Sequence, residues 1–202
     1  IPFIRENRDK LLLVAVDAAF AVLYKEDIYP DITVNIDAGC ETFIPCFAFA
    51  NFAKFQGVLF AASVSSPEML EVWKNHIYLY NLRDRSNPLM TKIEQVLLPQ
   101  FGGMDSRFNV GEFCLNMVIK YFGYKAVGFT GIDFAYLNNK YYADGVGHKI
   151  APPDNVEDTV YIYNNDREIV PTCNVFLVYQ AAFLKNYLYE YARRARVYNL
   201  SR

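Results

Sequence analysis

The sequence predicts an α/β fold: a mostly parallel sheet flanked by helices, with a C-terminal hairpin and a long helix. Three observations predict it. Short runs rich in Val, Ile and Leu alternate with helical stretches of about ten residues, the pattern of βαβ crossovers. Several of these runs stop at a polar residue, as strands do where they reach the C-terminal edge of an open sheet. After residue 159 the pattern changes to a strand pair, then to apolar positions three and four apart.

Leu11–Val16 reads as the first strand and stops at Asp17, before a helix over 18–26. Tyr29-Pro30-Asp31 turns the chain into a strand over 32–36, which stops at Asp37. After a helical stretch around 43–54 comes a strand over 58–62, with Ser63, Ser65 and Ser66 at its end. Pro67 suits the first position of a helix over 67–73, where its missing N–H is not needed. A strand over 77–82 ends in Asn81-Leu82-Arg83, and a helix over 87–98 stops at Pro99. Gly102-Gly103 then reads as a loop. It is a weak candidate for showing backbone N–H groups to a phosphate, and a simple turn is the commoner use of such a pair.

Asn109 followed by Glu112 resembles a capping box. From Phe113 to Phe122 only Asn116 and Lys120 are polar, so this helix is expected to be buried on most sides. Ala126–Ile132 suits a buried parallel strand that delivers Asp133 to the rim. Residues 146–160, with Gly147, Pro152 and Pro153, read as a lid-like connection. A hairpin begins at Thr159–Tyr163 and turns at Asn164-Asn165-Asp166. A helix over 174–195 follows, and Val197–Leu200 begins one more strand. The expected organisation is a core over 1–145, with 146–202 as lid-like loop, hairpin and helix of the same domain.

Composition narrows the function. With 53% hydrophobic and 21% charged residues, disorder over most of the chain is excluded. A net charge of −2 leaves no basic footprint for nucleic acid. Charges interrupt every apolar run before it reaches a membrane-spanning length. Cys40, Cys46, Cys114 and Cys173 match no zinc or redox spacing, which fits a reduced, cytoplasmic setting. The chain starts at Ile1 rather than Met and is expected to be a piece of a longer protein.

Parallel strands point one way, so Asp17, Asp37 and Asp133 are expected to gather along one rim. Asp also caps helices and starts turns, so the rim alone names no reaction. Tyr136, Tyr141 and Tyr142 crowd the loop after Asp133. A tyrosine there stacks on a base or sugar, donates a proton, or packs with its hydroxyl in water. The sequence holds no P-loop, no G-x-G-x-x-G after a strand, and no assembled nucleophilic triad.

The blocks Pro30-Asp31-Ile32-Thr33-Val34-Asn35-Ile36-Asp37 and Gly131-Ile132-Asp133-Phe134-Ala135-Tyr136, the second led by Gly123-Tyr124-Lys125, carry a resemblance. With the Gly-Gly pair between them, they resemble the motility-associated factor proteins. These share a domain family with 6-hydroxymethylpterin diphosphokinases (MptE-like). The similarity runs from about residue 11 to the C-terminus. It implies a Rossmann-like sheet related to bacterial sialyltransferases, and two chemistries. One moves a nonulosonic acid from a CMP-activated donor to a hydroxyl of flagellin or another protein or glycan. The other transfers diphosphate from ATP, with Mg²⁺, to a hydroxymethyl group.

On the resemblance, Asp133, Tyr142 and His148 are the catalytic candidates. Asp17, Asp37, Gly102 and Gly103 are substrate- or nucleotide-binding candidates, as are Asn109, Tyr136 and Asn199. No tightly bound cofactor is expected, and no metal ligand is assigned. Three departures matter, one being that the family often continues past the position of Asn199-Leu200-Ser201 into a Gly-Gly stretch. The family's Gly-rich nucleotide loop precedes the segment matching Ile1, and the family's loop His is replaced here by Tyr142, so Tyr142 or His148 must take its part. The last two departures support a third reading, a non-catalytic binding module prone to self-association.

Overall fold

Five parallel strands form the main sheet, in the order β1-β2-β3-β4-β5: Val14–Val16, Ile32–Asn35, Val58–Ala62, Ile77–Arg83 and Gly102–Asp105. The computed structural model describes residues 1–83, 87–97, 99, 102–105, 109–137, 140, 146, 159–164 and 166–201, apart from the side chains of 40–42, 90 and 94. The chain divides into two compact units, Ile1–Val110 with Asp144–Gly147, and Gly111–Ala143 with His148–Arg202.

In the first unit, helices α1 (Pro2–Glu6), α2 (Asp17–Lys25), α3 (Cys40–Cys46), α4 (Pro67–Val72) and α5 (Pro88–Leu97) precede or link the strands. Phe20 of α2, Cys46 and Phe47 at α3, and Met69 of α4 all pack with Leu59 and Ala61 of β3. The first three crossovers therefore lie on one face of the sheet. Phe20, fully buried, is ringed by Tyr24, Phe47, Phe52, Phe55 and Trp73 at centroid distances from 5.1 to 6.1 Å. Burying each such ring contributes about 1.5–3 kcal/mol, so this aromatic knot anchors the helical layer. β2 is buried along its whole length, as a central parallel strand should be.

Asp31, the first acid of the Pro30–Asp37 block, sits at the entry to β2. Arg8 donates to both its oxygens at 2.7 and 3.0 Å, and the Leu13 N–H donates to Oδ2 at 2.7 Å. This acid is a structural clamp. Asp37 follows the other end of the strand and is exposed.

Helix α4 begins as expected: Ser66 caps it, accepting from the Met69 N–H at 3.3 Å, with Pro67 in first place. The stretch around 43–54 is less helical than expected. Pro45 lies inside α3, which stops at Cys46, and only a 3₁₀ turn, Phe52–Lys54, follows. Gly102-Gly103 is no loop either; both residues belong to β5 and pair with Tyr80 and Asn81 of β4.

The second unit is built from α6 (Val110–Asn116), β6 (Ala126–Phe129), a hairpin of β7 (Thr159–Tyr163) and β8 (Ile169–Cys173), α7 (Asn174–Asn186) and β9 (Arg196–Asn199). The hairpin is antiparallel and the last strand forms, as the sequence predicts. β6 corrects the sequence reading. It pairs in parallel with β9 as a sheet of its own, and alternates exposed and half-buried positions instead of lying deep in the main sheet.

Both helices of this unit end in π turns, Met117–Tyr121 and Tyr187–Tyr191, so α7 and its extension form one continuous rod. Leu115, Ile119, Phe183 and Tyr191 make the core. Glu112 is fully buried, and its Oε1 accepts from Asn186 of α7, a long-range tie beyond the local cap predicted for it.

Candidate functional site

The three acids expected on one rim belong to two sheets. Asp17 and Asp37 follow β1 and β2 of the main sheet, whereas Asp133 follows β6 in the second unit. A run of apolar residues before an Asp tells where a strand stops. It does not tell which neighbour that strand finds.

On the main sheet, β1 stops at Val16, and Asp17 opens α2 directly. Its Oδ1 accepts from the Ala18 N–H at 2.7 Å, and a carboxylate in the first turn suits the helix dipole. Yet the residue is only 6% exposed and Oδ2 has no hydrogen-bond partner. Asn35, at the end of β2, lies beside it, and the exposed Asp37 follows two residues on. Burial is the main reason the Asp17 carboxyl is pushed up to about 7. The Ala18 N–H opposes that shift, while the neighbouring Asp37 adds to it.

The turns around this pair are tied together. Ser65 Oγ donates to the Asn35 carbonyl at 3.1 Å, and the Ser66 N–H donates to the Asp37 carbonyl at 3.3 Å. Thr33 Oγ1, Asn35 Oδ1 and Ser63 Oγ are buried without a hydrogen-bond partner, like Asp17 Oδ2. So the C-terminal ends of β1 to β3 hold a cluster of carboxyl, amide and hydroxyl groups. The Cys46 thiol of α3 faces the same acids; burial, then Asp17 and Asp37, push it up to about 12. It stays a neutral thiol and is no nucleophile.

Asn35 and Ser63 were not among the sequence candidates. The signal was present: Thr33 and Asn35 put polar groups at alternate positions of a strand otherwise apolar and buried. At the end of β4, the exposed Arg83 side chain lies over Gly103, where an added Cβ would overlap it. Gly103 thus admits an arginine rather than cradling a phosphate in a loop. Gly102 is exposed on the same strand, and Asn109 directly precedes α6.

The second unit has its own rim. β6 and β9 run parallel, so Gly131–Asp133 and Asn199–Ser201 emerge together. The Gly131 N–H donates to Ser201 Oγ at 3.0 Å, and the Ser201 N–H donates to Asn199 Oδ1 at 2.9 Å. Burial raises the half-buried Asp133 carboxyl above its usual range, and the Ser201 hydroxyl beside it works the other way. Gly131 and Phe134 both sit at positive φ, 77° and 53°, so the backbone turns sharply on either side of Asp133. Tyr136 is no rim aromatic. It is 6% exposed, packs on Phe176 at 5.2 Å, and its N–H donates to the Pro171 carbonyl at 2.8 Å. Tyr142 and His148 lie outside the described residues.

Among the described residues, no helix is long and apolar enough to cross a membrane, and no three His, Cys, Asp or Glu side chains group as metal ligands. No curated protein matches the chain in sequence. A solved MAf glycosyltransferase from Magnetospirillum magneticum AMB-1 superposes with a TM-score of 0.70 at 15% identity, over 99% of this chain and 29% of that one. The fold is therefore shared with that motility-associated factor enzyme, of whose length this chain spans less than a third. The sequence pattern of the family described as 6-hydroxymethylpterin diphosphokinase MptE-like matches residues 1–139. With well over half of its length matched, the chain belongs to the MptE-like family.

Proposed function

We propose that this chain is the nucleotide-handling part of a transferase that moves a nonulosonic, sialic-acid-like sugar from a CMP donor to a protein or glycan hydroxyl. The observation that carries this reading is the cluster at the ends of β1 to β3: Asp37 exposed, backed by Asp17, Asn35 and Ser63. Carboxylates, amides and hydroxyls suit the hydroxyls of a ribose or a sugar. In the transfer, the acceptor oxygen bonds to the anomeric carbon, the bond from that carbon to the CMP phosphate oxygen breaks, and CMP leaves with the electron pair. The acceptor's proton goes to a base, a role proposed for Tyr142 or His148. Asp37 and Asp133 orient hydroxyls of donor or acceptor. Family membership and the fold shared with a MAf glycosyltransferase support the reading.

A second reading, diphosphate transfer from ATP with Mg²⁺, draws on the family's description and on Arg83. This guanidinium makes no hydrogen bond or ion pair among the described residues, and a phosphate is a natural partner for it. Calorimetric titration with CMP and with Mg-ATP separates the two. Binding of CMP alone is the expected result, and binding of Mg-ATP alone establishes the second. Binding of neither leaves the non-catalytic module. In the longer protein, turnover of CMP-activated nonulosonic acids on flagellin is expected to fall at least tenfold in Asp37→Ala and in Asp133→Ala, the lower end of what a positioned polar group contributes.

A further inference from the structure

Residues 122–125 and 192–195 lead from the two π turns of the second unit into β6 and β9. Because these strands pair in parallel, with Ala126 beside Arg196, both segments arrive at the same edge of the small sheet. The Arg196 N–H donates to the Lys125 carbonyl at 2.9 Å and closes that edge. Asp133 follows the other end of the same strands.

Four cations collect there: Lys125, Arg193, Arg194 and Arg196, all exposed. None of their side chains makes a hydrogen bond or ion pair among the described residues. Glu190, the acid of the second π turn, pairs with Lys120 at 3.5 Å instead. Arg193 and Arg194 follow the last turn of a helical rod and complement its dipole. That does not account for Lys125, which precedes β6, or for Arg196, which opens β9, because a sheet has only a small net dipole. Exposed rings stand among the cations. Tyr124 adjoins Lys125, and Tyr189 lies one turn before Arg193. Tyr198 shares the exposed face of β9 with Arg196, while Val197 between them packs into the core.

We propose that this edge docks on an anionic phospholipid surface, with the cations against the headgroup phosphates and the tyrosines at headgroup level. Charge complementarity selects an anionic partner. The chain as a whole carries −2, so such a surface repels it except where the cations are concentrated. The tyrosines then favour lipid, since a ring with an apolar body and a polar tip suits the layer where headgroups meet hydrocarbon. An acidic peptide offers the charges without that layer. Docked this way, the sheet is held by one end and the Asp133 rim at its other end faces away from the bilayer. The docking does not depend on which donor the rim takes.

Co-sedimentation of the full chain with phosphatidylcholine vesicles, with and without phosphatidylglycerol, tests it. Binding to the anionic vesicles alone is expected, weakening as salt shortens the reach of the charges. Each Lys or Arg near such a surface raises the partition about fivefold. Arg193→Ala with Arg194→Ala should therefore weaken binding about twentyfold, and Lys125→Ala with Arg196→Ala by about as much. The second pair separates a docking edge from a helix end that merely complements its dipole. Lys10→Ala with Lys54→Ala, exposed cations of the first unit, changes the net charge equally and should leave binding as it was. Circular dichroism checks that each variant keeps its fold.

No binding, equal binding to both kinds of vesicle, or full binding in the Lys125 and Arg196 variant overturns the proposal. So does an equal loss in the Lys10 and Lys54 variant, which would make net charge the cause. Binding to poly-glutamate in solution without binding to vesicles also overturns it, and gives the edge to an acidic protein.

Discussion

The two rims of this protein use the same ingredients in different ways. In the first unit an Asp is driven into the junction of β1 and α2, with a second Asp beside it and hydroxyls behind. In the second an Asp sits half-buried in a loop bent by two positive-φ residues and shares its surroundings with Ser201. Burial raises both carboxyls. A hydrogen bond opposes the rise in each, from the Ala18 N–H at Asp17 and from the Ser201 hydroxyl at Asp133. What differs is Asp37, a like charge that raises Asp17 further. A strand-end Asp is therefore not one kind of residue. Its neighbours decide whether it holds a proton.

The largest effects expected are on the cores beneath the rims. Phe20→Ala should cost up to about 5 kcal/mol, because a fully buried ring with aromatic neighbours on all sides leaves a cavity that cannot collapse. Phe183→Ala, against Phe129 and Phe134 at 5.5 and 6.0 Å, should cost about 3 kcal/mol. If the units are separate cooperative blocks, hydrogen exchange will speed up in β1 to β3 for the first variant and in α6 and α7 for the second. Equal acceleration everywhere would merge them into one block.

Next comes the pH dependence of stability. Asp17 binds its proton more tightly folded, near 7, than unfolded, near 3.8, so protonation favours the native state. The stabilisation is complete below about pH 4 and is lost as pH rises through 7. The span amounts to roughly 4 kcal/mol. Urea denaturation at a series of pH values should show this decline in the wild type and a much flatter profile in Asp17→Asn. An unchanged slope in the variant would remove Asp17 as its source.

Much of the main sheet was legible because its signals are local. Val and Ile runs, Pro67 behind Ser66, and the polar stops at Asp17 and Asp37 each report on a few adjacent residues. Three features were not. β6 leaves the main sheet for β9, its partner seventy residues further on, and an apolar run such as Ala126–Phe129 suits either sheet. Gly102-Gly103 carries turn residues into an edge strand, where pairing with β4 and the overlying Arg83 override local preference. Glu112 fits a capping box by spacing, but its tie to Asn186 depends on how α7 packs. Long-range pairing decided all three, and no window of adjacent residues contains it.

A smaller effect separates the rims by what shapes them. The first is set by side chains, the second by backbone. Gly131→Ala should cost about 1 kcal/mol although nothing lies within 4 Å of the added Cβ, since φ of +77° alone is unfavourable for an L-residue. Chemical denaturation is the measurement, and a neutral result would mean that the turn relaxes at no cost.

The smallest effect is the one that tests the contrast itself. Ser201→Ala removes the acceptor of the Gly131 N–H and the hydroxyl beside Asp133. Because that N–H is exposed, the stability cost should stay below about 1 kcal/mol, water replacing the lost partner. The carboxyl should respond in one direction only. With the hydroxyl gone, burial acts unopposed and the Asp133 titration moves to higher pH. Carbon-13 titration of Asp133 in the two proteins reads this shift, and Asp17 in the other unit serves as the internal control. An Asp133 transition that stays put, or moves down, would show that Ser201 does not hold this carboxyl. The two rims would then differ in how deeply each Asp is buried and in the like charge beside Asp17, with no hydroxyl holding Asp133.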